Sequence, residues 1–220
     1  MAINLEKGQR INLEKSNGAK LTQFCVGCNW GAIPVRGFLG LSRGSKDVDL
    51  DLSCVMLDAQ GNLCDHIYSP LYRNEFLQRY GMPPGKLDSN DRALHHSGDD
   101  LKGDDGGIDD GLDNEIITVD LSRVHPSVDQ IFFFLNNVGQ EDFSQIPYAS
   151  IRMYEGTPQR VKEVFASYNV SAQPQYRGMK GLIMGKLYRR GGEWRFSAIG
   201  DAYPDQNLCE TIGRIITAYK

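Results

Sequence analysis

Eight carboxylates crowd the eighteen residues from Gly98 to Glu115, and no fold can bury them bare. Asp99, Asp100, Asp104, Asp105, Asp109, Asp110, Asp113 and Glu115 stand against a single Lys102. The stretch therefore carries a formal charge of −7 in a chain whose total is −4. Like charge at this density repels itself, so the stretch is either an open solvated tract or a loop closed by a multivalent cation. Gly103, Gly106, Gly107 and Gly111 interleave the acids. Glycine reaches φ > 0 cheaply, which lets a chain curl its carbonyls and carboxylates toward one centre. An all-oxygen donor set suits a hard ion taking about 6–8 oxygens, calcium before magnesium. The run ends in Glu115-Ile116-Ile117-Thr118-Val119-Asp120-Leu121, a strand signal that pins one end of the loop.

The spacing is not that of an EF-hand. With Glu115 as the twelfth ligand, Asp104 is the first, but Asp109 then stands where glycine is needed, and Gly106 and Ile108 fall on side-chain ligand positions. The Gly106-Gly107 pair occurs once, which excludes a nonapeptide calcium β-helix.

A second acidic stretch runs from Val48 to Leu57. Period-two alternation sets Asp49, Asp51 and Ser53 on one face and Val48, Leu50 and Leu52 on the other. Two carboxylates and a hydroxyl in a row are costly if buried without partners. They suit either solvent or a cation shared with the acidic loop, and Asp49 and Asp51 join the ligand pool on the second reading.

The remaining pattern is one of short strands and glycine turns. Asn17-Gly18 signals a hairpin, and Leu21 to Cys28 reads as a strand. Residues 31–46, with Arg36, Arg43 and Lys46, read as a basic loop. A short helix is expected over Arg73 to Tyr80, stopped by Met82-Pro83-Pro84-Gly85. Gln130 to Asn136 is a continuous apolar strand and the centre of the expected core. Arg160 to Val170 fits a helix or a strand. Gly181 to Arg189 and Glu193 to Ile199 make a hairpin, and residues 205–219 an amphipathic helix with Leu208, Ile212, Ile215, Ile216 and Tyr219 on one face. Eight to ten strands with little helix define an all-β chain, an antiparallel β-sandwich with short peripheral helices and a C-terminal helix. No repeat or linker divides it, so residues 1–220 are read as a single domain.

Composition excludes several classes. A pI near 5.6 without a Lys/Arg cluster argues against general nucleic-acid binding. No apolar run approaches a membrane span, and the first residues lack an apolar signal region, so a soluble cytoplasmic protein is expected. Five cysteines, an odd count, fit a reducing compartment. Cys25 and Cys28 form a C-x-x-C, but on a strand residues three apart point to opposite faces, so they read as small apolar residues rather than half a zinc site. The same geometry separates His95 from His96.

Four ordered motifs together resemble the TerD family of tellurium-resistance and stress proteins: Cys28-Asn29-Trp30, Asp49-Leu50-Asp51-Leu52-Ser53, His96-Ser97-Gly98-Asp99-Asp100-Leu101-Lys102-Gly103 running to Asp113-Asn114-Glu115, and Gly192-Glu193-Trp194-Arg195-Phe196-Ser197-Ala198-Ile199-Gly200. Asn136 to Phe143 resembles the TerZ branch. The chain departs from the family pattern at Asn29 (for Gly), Leu52 (for Ala), Asp100 (for Asn) and Lys102 (for Thr). It also has a longer loop between Gly103 and Glu115 and an expanded segment over 69–91. The resemblance implies a β-sandwich binding two Ca2+ and a cytoplasmic role in stress, tellurite, phage and colicin resistance. It also implies partnership with other Ter-family proteins and the inner-membrane TerC protein, with no catalytic activity. The rival reading is a metal-dependent hydrolase or phosphoesterase on the same carboxylates, with His95 or His96 as base and Arg36 or Arg43 holding phosphate.

Overall fold

The computed structural model describes residues 3–4, 7–15, 17–36, 42–169 and 173–219. Two six-stranded sheets face each other. The first contains β1 (Ile3–Asn4), β3 (Gln23–Trp30), β8 (Leu94–His96), β9 (Glu115–Asp120), β11 (Ala149–Thr157) and β12 (Arg160–Asn169), in the order β1-β12-β11-β3-β9-β8. The second contains β2 (Arg10–Asn12), β6 (Leu50–Leu57), β7 (Leu63–Ile67), β10 (Gln130–Asn137), β13 (Gly181–Arg190) and β14 (Glu193–Tyr203), in the order β2-β14-β13-β10-β6-β7. All pairs are antiparallel except β1 with β12. The expected all-β sandwich is the observed fold.

β10 lies between β6 and β13, and both its faces are covered, which is why its sequence lacks alternation. Ile131, Phe133 and Leu135 enter the space between the sheets, where they meet Val26, Cys28, Ile117, Ile151 and Met153. Phe132 and Phe134 point the other way, toward α2 (Leu208–Ala218), whose Leu208, Ile212 and Ile215 complete an outer layer with Leu77 of α1 (Asn74–Arg79). Each such side chain contributes about 1.5–3 kcal/mol on burial. Asn207 caps α2, its side chain accepting from the Glu210 N–H at 3.2 Å.

Residues 31–46 are not simply a loop. β4 (Ile33–Arg36) and β5 (Ser42–Lys46) pair as a separate two-stranded ribbon. Glycines and basic residues hid the extended backbone, which packs against the acidic loop rather than into the core. The side chains of Arg36 and Arg43 lie outside the described residues. In the segment 160–170, open between helix and strand, Arg160–Asn169 is strand β12 and residue 170 lies outside the described residues. Fourteen strands occur among the described residues against the eight to ten expected, because several are two to five residues long and carry no period of their own. Cys25 and Cys28 diverge as expected. Cys28 is in the inter-sheet core, and Cys25 packs on the outer face beside Ile116 and Tyr154.

Candidate functional site

The acidic loop is fastened to one end of the sandwich along its length. The Asp104 N–H donates to the Trp30 carbonyl at 2.9 Å, and the Ala32 N–H donates to the Asp104 carbonyl at 2.9 Å. Val48 N–H reaches the Lys102 carbonyl, and Asn114 N–H the Cys28 carbonyl. The fully buried Trp30 donates its indole N–H to the Val48 carbonyl at 2.8 Å. Gly103, at φ 71°, passes directly over it: a Cβ there would lie 2.5 Å from the indole ring. Both ends of the loop are thus paired to the sandwich, while Asp105, Asp109 and Asp110 between them stay exposed.

Within this frame the carboxylates fall into two groups. In the first, oxygens of Asp51, Asp99 and Glu115 lie within 4.8 Å of one another. Glu115 opens β9 and is fully buried. Its Oε2 accepts from Leu52 N–H at 2.7 Å and its Oε1 from Asp100 N–H at 3.0 Å. His96 accepts the Gly98 N–H on Nδ1, which leaves the proton on Nε2, 3.0 Å from the Leu52 carbonyl and 3.4 Å from Glu115 Oε2. Asp99 accepts from the Ser69 hydroxyl at 2.5 Å. Asp51 is 5% exposed, so the outer face of β6 that alternation picked out is covered, with Tyr72 beside it. Burial, then Glu115, raise the Asp51 carboxyl well above its usual range. Asp49 is pushed up to about 6 by burial, Glu115, Asp99 and Asp100, and its buried Oδ1 has no hydrogen-bond partner. Burial also raises Glu115 against the opposing pull of His96.

In the second group, oxygens of Asp104, Asp109 and Asp110 lie within 4.8 Å of one another. Asn29, 4% exposed, donates its amide to Asp109 at 2.8 Å while its own Oδ1 has no partner. Tyr148 donates its hydroxyl to Asp104, and Asn114 bridges Asp100 and Asp104 at 3.1 and 3.2 Å.

The remaining pool members stand apart. Asp100 turns back onto its own loop, accepting from Lys102 and Gly103 N–H. Asp105 is exposed at the start of the short 3-10 turn over 105–107. Asp113 is held by Arg152, 2.8 Å from Nε, and Arg152 also donates to the Gly111 carbonyl at 3.1 Å. Burial raises the Asp113 carboxyl, and Arg152 opposes that. Arg152 stands on the face of β11 that the acidic loop covers. Sequence reading did not select Asn29, Ser69, Tyr72 or Tyr148, because each comes from a segment distant in the chain, nor Asn114, a neutral side chain within the loop itself. Only the departure from Gly at Asn29 marked one of them.

Both groups offer oxygen alone, the donor set of a hard divalent ion, and each has an orphaned buried oxygen beside it. The hydrolase reading names His95 or His96 as its base. Both ring nitrogens of His96 are occupied, and exposed His95 pairs with Asp88 at 2.9 Å.

Fold and site thus define a β-sandwich with paired carboxylate clusters at one end. The chain belongs to the TerD family, whose domain matches residues 1–213. It is 33% identical to stress response protein SCP2 of Bacillus subtilis, over 98% of this chain and all of that one. It is 30% identical to tellurium resistance protein TerZ of Serratia marcescens, over 98% of each. A solved homologue of a telluride resistance protein (TerD) from Streptomyces coelicolor superposes with a TM-score of 0.58 at 13% identity, covering 90% of this chain and 96% of that one. No helix among the described residues is long and apolar enough to cross a membrane.

Proposed function

We propose that this protein is a calcium-binding stress and tellurium-resistance protein whose acidic end, ordered by two Ca2+, is presented to partner proteins. The observation that carries the reading is the convergence of three carboxylates twice over, on a loop already pinned by backbone hydrogen bonds. Asp51, Asp99 and Glu115, with Asp49 beside them, would hold one ion, and Asp104, Asp109 and Asp110 the other. Asp100, Asp105 and Asp113 serve as supporting charge. The bound ion supplies charge neutralisation. The chain's own residues supply the preorganisation: Ser69 and His96 orient Asp99 and Glu115, and Asn29 and Tyr148 orient Asp109 and Asp104. Binding to the folded state alone raises stability by mass action. The names of the relatives support a role in stress and tellurium resistance. The natural partners are other Ter-family proteins and the inner-membrane TerC protein, with this chain working in the cytoplasm, peripheral to the membrane through such a partner.

Calcium calorimetry on the wild type and on Asp99→Ala with Asp110→Ala tests this, one acid being removed from each group. Two binding events weakened together in the variant are expected. Calcium affinity unchanged by the double substitution would overturn the assignment.

A further inference from the structure

The large apolar side chains left exposed are concentrated at the acidic end. Of the eight such residues among those described, Val35, Leu71, Leu101, Ile108, Leu112 and Val138 lie on the β4–β5 ribbon, on the acidic loop, or on loops bonded to it or to Asp49. Leu71, Leu101 and Val138 are 64%, 51% and 48% exposed, and they rim one open depression of about 210 Å³. Its floor holds Asp49 and Asp51, with Ser69 and Tyr72 completing the wall. Loop tips in water have no reason to carry leucine and valine, and clustered exposed apolar residues mark interaction surfaces.

We infer that this depression is the docking notch for a partner-protein segment in which a lysine or arginine is flanked by apolar side chains. The inference rests on the reading of the acidic end as a presenting surface, and it names the chemistry that surface selects. Charge complementarity decides the occupant. Ten carboxylates gather at this end with Lys102 and an Arg152 already spent on Asp113, and the adjoining ribbon adds Arg36, Arg43 and a Lys46 paired with Glu141. Two divalent ions neutralise four of those charges, so the surface stays negative with both bound. An anionic lipid headgroup is repelled by that residue of charge; a cationic side chain is attracted. The depression has room for one long side chain, not for a helix. A cation drawn to the mouth of the depression brings its apolar neighbours onto Leu71 and Val138. The Val138 N–H is bonded to the Asp49 carbonyl at 3.0 Å, which ties the apolar rim to the acidic floor.

The test uses fluorescence anisotropy with the full chain in calcium. The probes are a short labelled peptide alternating leucine with lysine and arginine, its twin with glutamate for the basic residues, and vesicles containing phosphatidylglycerol. The variant is Leu71→Ser with Val138→Ser, which leaves every carboxylate in place. The wild type is expected to bind the basic peptide and not the twin, and the variant to lose roughly tenfold in affinity. The variant's calcium isotherm is expected to match the wild type's. Equal binding of both peptides, undiminished binding by the variant, or binding of the vesicles but not the basic peptide would overturn the inference. A flat wild-type calcium isotherm is the separate result that would defeat the calcium reading instead.

Discussion

Asp49→Asn should flatten a stability trend in the cation-free protein. The Asp49 carboxyl is pushed from 3.8 to about 6 by burial and by Glu115, Asp99 and Asp100. Between those values the folded chain keeps a proton that the unfolded chain has released. Stability therefore falls as pH rises from about 4 to about 6, and the loss is complete above that. The full shift corresponds to about 3 kcal/mol at about 1.36 kcal/mol per unit, and the half-buried setting reduces it to about 1–2 kcal/mol. Asp51 and Glu115 are raised too and act in the same direction. Asp58, Asp91, Asp120 and Asp142 are lowered, so their contribution is lost only as pH falls below about 4. Subtracting the variant's profile from the wild type's removes all groups but Asp49 and its coupling. Thermal unfolding in a chelator, from pH 4 to 7.5, is the assay. The variant should gain about 1–2 kcal/mol on the wild type across this range, about 2–8 °C in Tm for a chain of this size. Saturating calcium should abolish the gain, since the ion then relieves the same repulsion. A difference between the two proteins that is constant with pH would refute the argument.

Two further outcomes follow from buried groups outside the ion sites. Arg152→Met strips the partner from Asp113, whose side chain is 1% exposed, and should cost about 3 kcal/mol in urea unfolding, with the loss shrinking at acid pH as Asp113 protonates. Of five free thiols only Cys64 is exposed, so a thiol reagent should titrate one per native chain and five after unfolding, which also separates Cys25 and Cys28 from any shared chemistry.

What the sequence disclosed depended on how local the cause was. The unbroken apolar run of β10 and the stripe of α2 are set by burial on fixed faces, and both are read directly from residue order. The alternation of β6 assigned Asp49, Asp51 and Ser53 to one face correctly, but nothing local told that this face is roofed by Tyr72 and the helical layer. The β4–β5 ribbon was missed because glycine and charge dominate it and its partner is the acidic loop. The site was legible as a pool of acids and not as two groups. Which acids converge depends on contacts between segments far apart in the chain: Glu115 against Leu52, Asp113 against Arg152, Asp109 against Asn29.

The most direct test of the calcium assignment is a crystal structure grown in calcium, with anomalous scattering to locate the ions. The account predicts one ion among Asp51, Asp99 and Glu115 and a second among Asp104, Asp109 and Asp110, with oxygens at roughly 2.3–2.6 Å. Clusters without an ion at saturating calcium, or an ion bound instead through Asp105 or Asp113, would contradict it.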